Sequence, residues 1–147
     1  MKWTLILQLS LVGLALALGS LFFISPNIEP LLWLAVFLYY AHALGNGTRS
    51  LLFLHGLLLG VLNSIWVVGI HIAFLTRYLA GHPREVSMLD MVNAAKIPAD
   101  PRVIMAFTGI TVGVLEGIVI GVFAMVAGMM VKPQRIRFVS TEPGTEV

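Results

Sequence analysis

Four apolar blocks separated by short polar breaks set the pattern of the chain. The first begins at Trp3, behind Lys2, and stays apolar through Leu21, Phe22, Phe23 and Ile24, which predicts a helix over 3–25. The stretch from Ser25 to Pro30 carries two prolines, and Pro30 suits the first turn of a second helix over 30–45. Gly45, Asn46 and Gly47 are expected to end that helix, with Thr48 or Ser50 capping a third over 51–79. Within it, Arg77 and Tyr78 stand where an interfacial anchor is expected. A fourth helix is predicted over 103–131, with Asp100 as N-cap and Pro101 near its first turn.

Each block approaches the roughly 20 residues a helix needs to cross a bilayer. The second is the shortest, about 22 Å at the helical rise, and would need help from its ends or a locally thinned membrane. Residues 132–147 show no apolar periodicity and read as a flexible tail. In the one sizeable polar connection, from His82 to Arg102, Met88, Leu89, Met91, Val92 and Ala95 share an arc opposite Ser87, Asp90 and Asn93. That is either a short helix lying in the membrane interface or a solvated helix covering the end of the bundle.

Composition agrees with the pattern. Of 147 residues, 59% are apolar and 11% charged, against about a quarter charged in a soluble domain. The expected fold class is therefore all-α: a polytopic membrane protein with four transmembrane helices in one domain, 1–131, and a short interfacial helix between spans three and four. Ala17 and Gly19 also offer a small-residue cleavage pair, the alternative in which the first block is a secretory signal. The absence of cysteine excludes disulfides, thiolate metal sites and thiol redox chemistry. With a formal charge of +2 and no dense basic run, no nucleic-acid partner is expected. Lys2, Arg49, Lys132, Arg135 and Arg137 fall on one side, and Arg77, Arg84, Lys96 and Arg102 on the other. The positive-inside rule then places both termini in the cytoplasm, with the chain in a cell's inner membrane.

Chemistry-bearing positions are few. Gly56-Leu-Leu-Leu-Gly60-Val-Leu-Asn63-Ser-Ile in span three is echoed by Gly109-Ile-Thr-Val-Gly113-Val-Leu-Glu116-Gly117-Ile in span four, the signature of an inverted repeat or a chance likeness of membrane helices. Gly56 and Gly60 on one helix, and Gly109, Gly113, Gly117 and Gly121 on the other, form small-residue stripes that let two backbones approach. Glu116 is the only acidic residue inside a predicted span and lies midway along it. A carboxylate there must be neutral, paired or beside water. Asn63 at matching depth is its expected partner, within about 5 Å in reach of a side-chain hydrogen bond, and His71 follows two turns along the same stripe. His42 and His55 come out at one depth and are weak metal or haem candidates. His82 reads as a loop residue, and no cofactor is expected.

The ordering of two apolar spans, a Gly-rich turn, Phe53-x-x-Gly56-x-x-x-Gly60, then Tyr78 and Pro83, a glycine-rich last span with Gly117-Ile-Val-Ile-Gly121 and a basic stop at Lys132 resembles a bacterial family of four-helix membrane proteins of unknown function. The resemblance implies the architecture and no activity. Two functions compete on the residues alone. One is a non-enzymatic accessory bundle whose partners are the lipid bilayer and a second copy or another membrane protein. The other is a proton- or cation-coupled carrier of a small solute working through Glu116. Haem-based electron transfer is a distant third.

Overall fold

The structure is a computed structural model, and it describes residues 1–48, 50–95 and 100–130. Six helices follow one another: α1 (Trp3–Phe22), α2 (Glu29–Gly47), α3 (Leu52–Ala73), α4 (Leu75–Gly81), α5 (Pro83–Ala94) and α6 (Pro101–Met130), with no strand among the described residues. Of these, α1, α3 and α6 are long and apolar enough to cross a membrane. Their outward faces carry large exposed apolar side chains, among them Leu7, Leu11 and Leu18 on α1 and Phe107, Leu115 and Met129 on α6. A chain with so much apolar surface turned outward belongs in lipid.

Helix α3 is the hub: it packs along α6 in the most extensive contact of the molecule and along α1 on its other side, while α2 lies on α6. Ile6, Leu9, Tyr40, Leu44, Leu59, Ile120 and Ala124 fill the space between them. The glycine stripes bring α3 and α6 together. A Cβ on Gly56 would run into Gly121, one on Gly60 into Gly117, one on Gly113 into the Ser64 side chain and one on Gly109 into Val68. From the α6 side, a Cβ on Gly117 would stand 2.6 Å from the Leu57 carbonyl oxygen, and one on Gly121 2.8 Å from that of Phe53. The echoed segments therefore cross antiparallel, each glycine meeting backbone or the Ser64 or Val68 side chain.

Three helix boundaries differ from expectation. Helix α2 continues through Gly45, Asn46 and Gly47 instead of ending there. Gly45 is taken up by close approach to Ala127 and Gly128, Gly47 by Leu5, and Asn46 bonds back to His42 one turn earlier. The helix thereby reaches 19 residues, about 28 Å at the helical rise. Helix α3 is not capped by Thr48 or Ser50: Thr48 Oγ1 donates to the Ser50 carbonyl, and Leu51 caps the helix from a left-handed conformation, φ 56°. The third block is not one helix over 51–79 but breaks at Phe74, φ −112° and ψ 34°. Asp100 does cap α6, its Oδ1 accepting the Arg102 N–H at 2.7 Å. Residue 131 and the tail 132–147 lie outside the described residues, as do Arg49 and Lys96.

Candidate functional site

The break at Phe74 organises the polar end of the molecule. In a continuous helix, residues seven apart are separated by about 10 Å along the axis. Because the helix bends away at Phe74, the Tyr78 ring folds back to stack on His71 at 4.0 Å between centroids. One turn on, His82 stacks on the other face of Tyr78 at 4.1 Å. Burial, reinforced by the charges of Glu85 and Glu29, pushes the Tyr78 hydroxyl above its ordinary range, so it stays protonated.

Both ends of this column are tied to other helices. Ser20 Oγ donates to the Ala17 carbonyl at 2.9 Å and so accepts from His71 Nε2 at 3.1 Å, which places the His71 proton on Nε2. At the other end, His82 Nδ1 lies 2.9 Å from the Tyr78 carbonyl oxygen and Nε2 3.3 Å from Glu29 Oε2. Trp33 Nε1 donates to the second Glu29 oxygen at 3.3 Å. Arg77 adds a further tie, donating to the Leu21 carbonyl and lying over the Phe22 ring. Helices α1, α2 and the α3–α4 bend thus converge on one buried polar cluster.

A cleft of about 740 Å³ opens beside it. Its polar end, or mouth, is lined by Asn27, Glu29, His82, Arg84 and Glu85, its wall by Trp33, Leu34 and Phe37 of α2, and Glu116 of α6 lines it too. The two walls come from local geometry. Helix α2 is drawn onto α6 at Gly45, where a Cβ would stand 3.0 Å from that of Ala127. Nearer its N-terminus, α2 turns Trp33 and Phe37, one turn apart with rings 6.0 Å from each other, toward the cleft. Glu116 is half-buried, and none of the side-chain hydrogen bonds among the described residues includes it.

The expected polar trio of Glu116, Asn63 and His71 is therefore not one bonded site. Asn63 is fully buried on the other flank of α3, against Gly13, and its Oδ1 accepts the Tyr40 hydroxyl at 3.4 Å while its Nδ2 has no partner. The reason is angular. Gly56, Gly60 and Ser64 face α6, whereas Asn63, 100° behind Ser64 on the helix, turns to α1 and α2. His71 belongs to the column at the α5 end. His42 and His55 do not converge on a metal either. His42 is exposed and bonds Asn46. The His55 ring is used up, because Nε2 accepts the Lys2 backbone N–H at 3.0 Å and Nδ1 donates to the Leu51 carbonyl at 2.8 Å. Among the described residues no three metal-binding side chains cluster.

Sequence reasoning missed Glu29, Trp33, Tyr78 and His82 as members of a cluster. The available signal was spacing: Glu29 with Trp33, and Tyr78 with His82, are each four residues apart. No known protein family, curated protein or solved structure matches the chain.

Proposed function

We propose that the chain is a four-crossing, non-enzymatic protein of a bacterial inner membrane, and that Glu116 is a proton- or cation-binding site serving carriage of a small solute. Helix α2 is the fourth crossing: its length nearly matches a hydrocarbon core of about 30 Å, and it runs beside α6, which crosses. Both termini face the cytoplasm. Helix α5, whose Met88 and Met91 are exposed on one face, lies in the opposite interface.

The observation that carries this reading is the cleft, whose lining joins the charged side chains Glu29, Arg84 and Glu85 to Glu116, a carboxyl with no hydrogen-bond partner among the described residues. A carboxyl held only as glue between helices would be hydrogen-bonded across the interface. An unpaired one at the bottom of a cleft is placed to exchange protons or cations with water. A hydrophobic carbodiimide, which modifies protonated carboxyls in apolar surroundings, tests this. Labelling is expected at Glu116, to slow as pH rises and the carboxyl ionises, and to vanish in Glu116→Gln. Labelling that ignores pH, or that survives Glu116→Gln undiminished, would leave the accessory-bundle reading in place.

A further inference from the structure

We propose that Glu29 and His82 together bind one proton, and that this proton locks the mouth of the cleft. Donors and acceptors around His82 do not match in the neutral pair. His82 is buried, 3% exposed, with both ring nitrogens facing oxygen acceptors: Nδ1 the Tyr78 carbonyl at 2.9 Å, Nε2 the Glu29 carboxyl at 3.3 Å. A neutral imidazole carries one N–H and one lone pair. With the proton on Nδ1, the Nε2 lone pair points at a carboxylate oxygen. With it on Nε2, the Nδ1 lone pair points at a carbonyl. Both arrangements set acceptor against acceptor at an imidazole that is itself shielded from solvent. The observed geometry is complete only when the pair holds a second proton, as imidazolium with carboxylate or as imidazole accepting from a carboxylic acid.

The position of the pair gives that proton a consequence. Glu29 is the first residue of α2, anchored by Trp33, and His82 is the residue between α4 and α5. The bond therefore joins two sides of the cleft that Glu116 also lines. The other groups near His82 leave the count unchanged. Tyr78 lies against one ring face and stays protonated, and His71, 6.5 Å away between ring centroids, is committed to Ser20. Arg84 and Glu85 of α5 and Glu116 of α6 line the same cleft. At low pH the pair holds its proton and α2 stays tied to the α4–α5 junction, as in the structure. As pH rises the proton leaves, two acceptors confront each other, and α4–α5 swings away from α2.

The chain has no cysteine, so spin labels can be placed at will. With labels at Leu31→Cys on α2 and Ser87→Cys on α5, both exposed positions, pulsed electron resonance in lipid vesicles reads the distance across the mouth. One short distance is expected at about pH 5.5 and an added longer population at about pH 8.5, the range over which histidine chemistry operates. Glu29→Gln is the sharper test, because its amide N–H can donate to neutral Nε2 and complete the bond without the extra proton. That variant should stay short at both pH values, and His82→Ala should be long at both. A wild-type distance that ignores pH, or a Glu29→Gln protein that opens at acid pH, would overturn the lock even where carbodiimide still labels Glu116.

Discussion

Gly60→Ala is expected to destabilise the protein by about 2–4 kcal/mol, while Gly69→Ala, nine residues along the same helix, leaves stability unchanged or raises it by up to about 1 kcal/mol. The chemistry of the two substitutions is identical, so helix propensity favours alanine at both. The surroundings decide the sign. A Cβ on Gly60 collides with the Cα and N of Gly117, backbone atoms that move only if the whole of α6 moves, whereas a Cβ on Gly69 meets nothing within 4 Å. In lipid, where apolar side chains gain little by leaving the solvent, close backbone packing is a main source of helix association. Parting α3 from α6 therefore removes the largest interface of the molecule. Thermal unfolding in detergent checks the pair; equal melting temperatures for the two variants would mean that the α3–α6 crossing is not as close as described.

Glu116→Gln should leave folding within about 0.5 kcal/mol of wild type and abolish cation-driven proton movement. The small first effect follows from geometry: no side-chain hydrogen bond among the described residues includes Glu116, and a glutamine of nearly the same shape fits its half-buried position in the cleft lining. The large second effect follows from chemistry, since an amide can donate and accept hydrogen bonds but neither titrates near neutrality nor supplies a negative charge. In proteoliposomes with an imposed pH gradient, sodium, potassium or tetramethylammonium added outside should collapse the gradient with wild-type protein. Glu116→Gln should return the rate to that of protein-free vesicles. Identical rates for the two proteins would remove Glu116 from any carrier cycle.

The membrane character and helical fold were legible in the sequence because hydropathy acts through long sums: blocks of twenty apolar residues leave little choice of structure. Breaks inside those blocks were not legible. Phe74 sits in an apolar-to-polar transition with no proline or glycine to mark it, and the column of His71, Tyr78 and His82 that accompanies its bend is a tertiary feature. The glycines at the end of α2 misled for the opposite reason. Gly45 and Gly47 read locally as a stop, yet α6 and α1 take them up as contact points and the helix continues. The spacing of Asn63 and Glu116 suggests a shared depth, but depth does not give azimuth. The 100° step between Asn63 and Ser64 puts the amide on the flank facing α1 and α2.

The central claim is that water reaches Glu116 through the mouth beside α5. The cysteine-free chain allows a direct measurement: Glu116→Cys, with Leu115→Cys and Val119→Cys as exposed neighbours on α6, each treated in membranes with a charged, membrane-impermeant maleimide. A thiol in lipid has no contact with such a reagent, whereas one at the end of a water-filled cleft does. The account predicts that Glu116→Cys reacts when the reagent is applied to the face bearing α5, and that Leu115→Cys and Val119→Cys do not. A thiol at position 116 as unreactive as its two neighbours would contradict it.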